Sequence, residues 1–163
     1  MARQQYKVGM VVRIPLDAEQ DTFAHVLRKP EVAVLNLFRA RGDHPLMSEV
    51  EVAEVLFRVW VTNKAITSGR WQRVGMAPMR SELGLQVPRF KRDPITGQFS
   101  IYINGEERQA TPAECVGLEP ASVWGSEHLE ARLCDYAAGR PHKPMKYLLE
   151  GVPPRSRRSS DAG

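Results

Sequence analysis

The stretch "VGMVVRIPLDAEQDTFAHVL", residues 8–27, decides how the chain folds. Val8, Met10, Val12, Ile14 and Leu16 alternate with Gly9, Val11, Arg13 and Pro15. A period of two sends successive side chains to opposite faces of an extended chain, so this is a strand with one buried face. "DAEQD" (17–21) is a polar turn, and Phe23 to Leu27 form a second short apolar run. Residues 10–28 therefore read as a hairpin.

Downstream, "VAVLNLF" (32–38) is apolar on both faces and rich in β-formers, which suits a central strand. "RARGDHP" (39–45) is a loop, and Ser48 with Glu51 has capping-box spacing, which predicts one helical turn. Val55, Phe57, Val59 and Val61 alternate with Leu56, Arg58, Trp60 and Thr62, giving another strand. Residues 76–97 are broken by proline and glycine and predict an irregular connection. In "FSIYINGEERQAT" (99–111) an alternating strand meets Asn104-Gly105, a pair that tolerates positive φ and fits a two-residue type I′ turn. The polar return strand from Glu106 suits a solvent-facing edge. In "TPAECVG" (111–117), Thr111 caps, Pro112 takes the first helical position and Glu114 completes the box. In "SEHLEARLCDYAAG" (126–139), Leu129, Leu133, Tyr136 and Ala137 share a stripe at helical spacing, with Ser126 as cap and Gly139 as stop.

These elements predict an α+β fold: a curved, mainly antiparallel sheet forming a partial barrel, with one C-terminal amphipathic helix. At 163 residues the chain is expected to be a single domain over residues 1–150, followed by a disordered basic tail over 151–163. No apolar run is long enough for a membrane helix and no secretion signal opens the chain. With two cysteines, Cys115 and Cys134, the expectation is a cytoplasmic protein with reduced thiols.

The formal net charge of +4 invites a nucleic-acid reading, but half of it comes from the tail, where Arg155, Arg157 and Arg158 outweigh Asp161. The densest basic run before the tail is "RFKR", and Arg89, Lys91 and Arg92 are the candidate nucleic-acid contacts of a second reading. Against the net charge stands an acidic cluster, Asp43, Glu49, Glu51 and Glu54, which suits a basic protein partner; capping and solvation are the simpler account and need none. His25, His44, His128 and His142 form no ligand-spaced set, so no metal and no cofactor is expected. A nucleophile built on Cys134 or His25 is a distant third reading, and two partly buried thiols are the simpler account. Trp60 and Trp71, in "VWVTNKAITSGRWQRVG" (59–75), are expected to pack as core or half-buried residues.

Taken in order, "YKVGMVVRIPL", "FAHVL", "LFRVWV", "GRWQRVG" with Pro78 close behind, "ATPAECVGLEPASVW" and "EHLEARLCDY" resemble the immunity protein 26 family of bacterial polymorphic-toxin systems, over roughly residues 6–138. Met10 departs from the pattern, which often has an acidic residue after the opening glycine. The resemblance implies a cytosolic, non-enzymatic protein that binds and neutralises a cognate toxin, and it carries no catalytic residues.

Overall fold

The computed structural model describes residues 2–17 and 19–148. The expected tail, residues 151–163, lies outside them. The described chain is α+β and forms two compact units, one from the described residues up to Leu85 with Val123–Arg140, the other from Gln86–Ser122 with residues 141–148.

The larger unit carries a six-stranded sheet. Strands β1 (Met10–Pro15), β2 (Gln20–Val26), β3 (Glu31–Ala40) and β4 (Val55–Val61) are antiparallel neighbours in sequence order. Strand β5 (Arg73–Met76) adds antiparallel to β1, and β10 (Val123–Trp124) adds parallel to β4. The full order is β10-β4-β3-β2-β1-β5. The opening hairpin is therefore present, and β3 sits inside the sheet with Val32, Ala33, Val34 and Leu35 fully buried. Its two apolar faces follow from having packed layers on both sides. Three register shifts interrupt the ladder, between Val11 and Val12, between Asp21 and Phe23, and between Val34 and Leu35. Extra residues of this kind bend a strand and increase its twist.

Helix α1 (Met47–Val52) covers one face of this sheet, where Val50 and Ala53 pack on Val11, Phe23, Leu35 and Leu37. It begins two residues earlier than the Ser48 spacing predicts. Leu46 is the N-cap residue, and Glu49 rather than Glu51 closes the turn by accepting the Leu46 N–H at 2.7 Å. Leucine has no side-chain acceptor, so only this half of a reciprocal cap exists. Helix α2 (Lys64–Thr67) follows β4. Helix α4 (Ser126–Ala137) buries Leu129, Arg132 and Leu133. Tyr136 and Ala137, expected in the buried stripe, are exposed, and Gly125 rather than Ser126 is the N-cap residue.

The smaller unit holds a four-stranded sheet in the order β8-β7-β6-β9. Strands β6 (Arg89–Arg92), β7 (Phe99–Ile103) and β8 (Glu106–Ala110) are antiparallel, and β9 (Glu119–Pro120) joins β6 in parallel. Asn104 and Gly105 both have positive φ, 53° and 78°, which is the type I′ geometry the sequence predicts. Thr111 caps α3 (Pro112–Cys115) with a complete box closed by Glu114. Phe90, Phe99, Ile101 and Cys115 form the core of this unit. Helix α5 (Lys143–Leu148) is also part of it.

Three expectations are thus corrected. One sheet becomes two mixed sheets, and one helix becomes several. The connection over 76–97 is not wholly irregular, since it holds a 3-10 turn at Ser81–Gly84 and β6. No closed barrel forms among the described residues.

Candidate functional site

The tryptophan question resolves at the "GRWQRVG" turn. Trp71 is fully buried, and its indole N–H donates to the Glu130 carboxylate of α4 at 2.9 Å. Arg70 grips the same carboxylate with two bonds, at 2.9 and 2.7 Å. Glu130 in turn holds the Arg70 guanidinium even more firmly in its charged form. The turn itself depends on Gly69, whose φ is +83°. Gly75 lies on β5 against Met47 of α1, where a Cβ would come within 2.6 Å of the Met47 sulfur. Gln4 ties the N-terminal segment to the turn by donating to the carbonyls of Ile66 and Trp71, each at 2.8 Å. Trp71 is therefore core, and Trp60 is half-buried on β4.

A second aromatic group lies on the face of the larger sheet packed by α4. The Phe38 and Tyr136 rings stack with centroids 6.0 Å apart and planes 12° apart, and Phe57 meets Tyr136 edge-on at 5.9 Å. Arg132, almost wholly buried, places its guanidinium 3.7 Å from the Phe57 centroid and 5.2 Å from that of Trp124. Sequence reading missed this group. Its only local sign is the i, i+4 spacing of Arg132 and Tyr136, since Phe38 and Phe57 come from strands far from the helix in sequence.

The acidic residues all belong to the segment around α1. Asp43 is in the preceding loop, Glu49 and Glu51 are on the helix, and Glu54 follows it. Glu49 is committed internally, to the Leu46 N–H and to Arg39 at 2.8 Å, and these bonds hold its carboxyl below the ordinary range. Glu54 accepts from the Asn36 side chain at 3.3 Å. Asp43, Glu51 and Glu54 are exposed, and so are the apolar side chains of Leu46 and Val52 at the two ends of the helix.

The basic run is β6, inside the smaller sheet. Arg89 is buried. Lys91 pairs with Glu107 at 2.8 Å and lies 4.9 Å from the Tyr102 ring centroid, while Arg92 lies 5.3 Å from that of Phe99. Lys91 and Arg92 are thus engaged within their own sheet.

The remaining titratable groups sit apart from these surfaces. His25 is buried and bonds the Ala77 carbonyl through Nε2 at 2.9 Å; burial pulls its pKa down. Burial pushes both Cys115 and Cys134 up, which lowers their thiolate fraction at neutral pH. Among the described residues no three His, Cys, Asp or Glu side chains are placed to hold a metal ion, and no helix is long and apolar enough to cross a membrane.

The fold defines the class first: a two-sheet α+β protein whose larger unit holds the β1–β2 hairpin and the turn that buries Trp71. The family model described as Immunity protein 26 matches residues 7–101, more than half of the chain, and the chain belongs to that family. The match covers β1 to β6 and most of β7. The later stretches "ATPAECVGLEPASVW" and "EHLEARLCDY" lie beyond it. No curated protein matches the chain, and neither does any solved structure.

Proposed function

We propose that the chain is a cytoplasmic immunity protein of a bacterial polymorphic-toxin system, which binds a cognate protein toxin and neutralises it without catalysis. Membership of the Immunity protein 26 family carries this reading. Residues 1–150 act as one immunity module. The interrupted ladder of the larger sheet supports a curved, partly barrel-like surface, with α4 as its amphipathic packing helix.

Neutralisation works by occluding the toxin's active site or an adjacent exosite. A standard interface of roughly 800 Å² per partner is enough for this. The acidic segment is the proposed contact. Asp43, Glu51 and Glu54 supply exposed negative charge that steers a basic toxin face into place, and Glu49 fixes the helix that presents them. The experiment is co-expression with the toxin encoded beside it. Survival of the host together with a stoichiometric complex in a tagged pull-down is the expected result. Continued killing with no complex overturns the proposal.

A further inference from the structure

The inference concerns the end of β3, where the strand runs past its last partner on β4, Val55. We infer that Phe38, Phe57 and Tyr136 anchor the docking surface for the toxin, and that they receive an arginine or lysine side chain from a basic toxin face, with Glu54 as its counter-charge. This rests on the immunity reading and deepens it by naming the surface and the chemistry of the partner.

The first argument is exposure. Tyr136 is 44% exposed although it lies on the packing side of α4, and the rings of Phe38 and Phe57 are only half-buried. Three touching rings offer a sizeable apolar surface, and water covers it at the cost of that area. The second argument is rigidity. Each ring has only two side-chain torsions, and the stacking geometry already fixes them. Arg132 backs Phe57 from within the fold. A surface ordered before binding loses little entropy on association, and aromatic anchors of this kind dominate protein interfaces.

The third argument is charge. Glu54 is exposed and is held by Asn36, two residues before Phe38 on β3. The neighbouring loop and helix add Asp43 and Glu51, also exposed, while the two arginines of that segment are taken up, Arg39 by Glu49 and Arg41 by Asp21. An aromatic face on the same strand as the partner of an exposed carboxylate favours a cation, which gains from both the ring quadrupole and the negative charge. An acidic or neutral partner surface would bury these carboxylates unpaired, which is costly.

The test measures, by calorimetry, binding of the full chain to the toxin encoded beside it. Glu54→Lys and Tyr136→Ala are each expected to weaken binding by about tenfold or more, the loss typical of a hot-spot position. Tyr136→Phe, which keeps the ring, and Lys91→Glu on the smaller sheet are expected to bind like the parent. Melting temperatures accompany each variant. Glu54 is exposed, so Glu54→Lys remains decisive if Tyr136→Ala fails to fold. A parent complex with undiminished binding by Glu54→Lys overturns this inference and leaves the immunity reading standing. Loss by Tyr136→Phe as great as by Tyr136→Ala also overturns it, because the ring would then not be the anchor. If the parent forms no complex at all, the immunity reading itself fails. A chain that self-associates through this face without the toxin assigns the surface to a second copy and contradicts the proposal.

Discussion

The larger sheet takes its charges inside, whereas the smaller sheet, apart from the buried Arg89 of β6, leaves them at its rim. Asp21 on β2 is fully buried, with Arg13 at 3.2 Å, Arg41 at 3.6 Å and the Gly42 N–H at 3.2 Å around its carboxylate. Glu31 and Arg58, both mostly buried, join β3 to β4 by a two-bond pair, and Arg58 continues to the carbonyls of Leu83 and Leu85. Glu130 collects Arg70 and the Trp71 indole. On β8, by contrast, Glu106, Glu107 and Arg108 face solvent, and the pairs Lys91–Glu107 and Arg108–Glu114 are well exposed. The same residue types thus have different uses. A buried pair fixes which strands and turns meet, because losing one partner strands the other away from water. An exposed pair adds little and chiefly keeps an edge strand soluble.

The contrast can be broken most sharply at Asp21. Asp21→Ala leaves Arg13 and Arg41 facing each other without their counter-charge, and a loss of about 3–5 kcal/mol is expected in chemical denaturation. Glu130→Ala removes the acceptor for a buried indole N–H and for the Arg70 fork; roughly 2 kcal/mol should be lost, with a red-shifted tryptophan emission as Trp71 loosens. Within the smaller unit, Thr111→Ala removes the side-chain half of the α3 cap and should cost about 1 kcal/mol. At the bottom of the order, Lys91→Ala should leave the melting temperature unchanged, and a loss there as large as that from Glu130→Ala would erase the distinction between the two sheets.

Acidification sharpens it from another side. Burial lowers the His25 pKa below its ordinary value of 6.5, so the unfolded chain binds a proton more readily than the folded one. The stability this neutral ring contributes is present above pH 6.5 and is lost as the pH falls below it. Tyr6, pushed up to about 12 by burial and by Glu31, acts at the other end. Its contribution is intact below its ordinary value of 10.0 and is lost as the pH rises through about 12. Melting curves across pH should therefore show an acid limb that His25→Gln flattens and an alkaline limb that Tyr6→Phe flattens.

How much of this was legible depends on whether a signal is local. The β1–β2 hairpin and the central place of β3 were readable because strand periodicity is a local property. So were the Asn104-Gly105 turn and the Thr111 box, where neighbouring residues specify the geometry. The division into two sheets was not readable. Strands β9 and β10 are two residues each, too short to show a period, and both pair in parallel with strands far back in the sequence. The α1 cap was misplaced because leucine gives no capping signal and the working residue, Glu49, is one of several glutamates in a row of candidates. Of the candidate site, the carboxylates could be listed from sequence, but not which one is spent internally. The aromatic group needed the register of β3 against β4 and the packing of α4, and no spacing in the chain encodes those.

The central claim is that a toxin docks on the larger unit, at the end of β3 and around α1 and α4, and leaves the smaller sheet free. The most direct measurement is hydrogen–deuterium exchange on the chain with and without the toxin encoded beside it. The account predicts slowed exchange confined to residues 36–57 and the second half of α4, with β6 to β8 unchanged. Slowing confined to β6, β7 and β8 would contradict it.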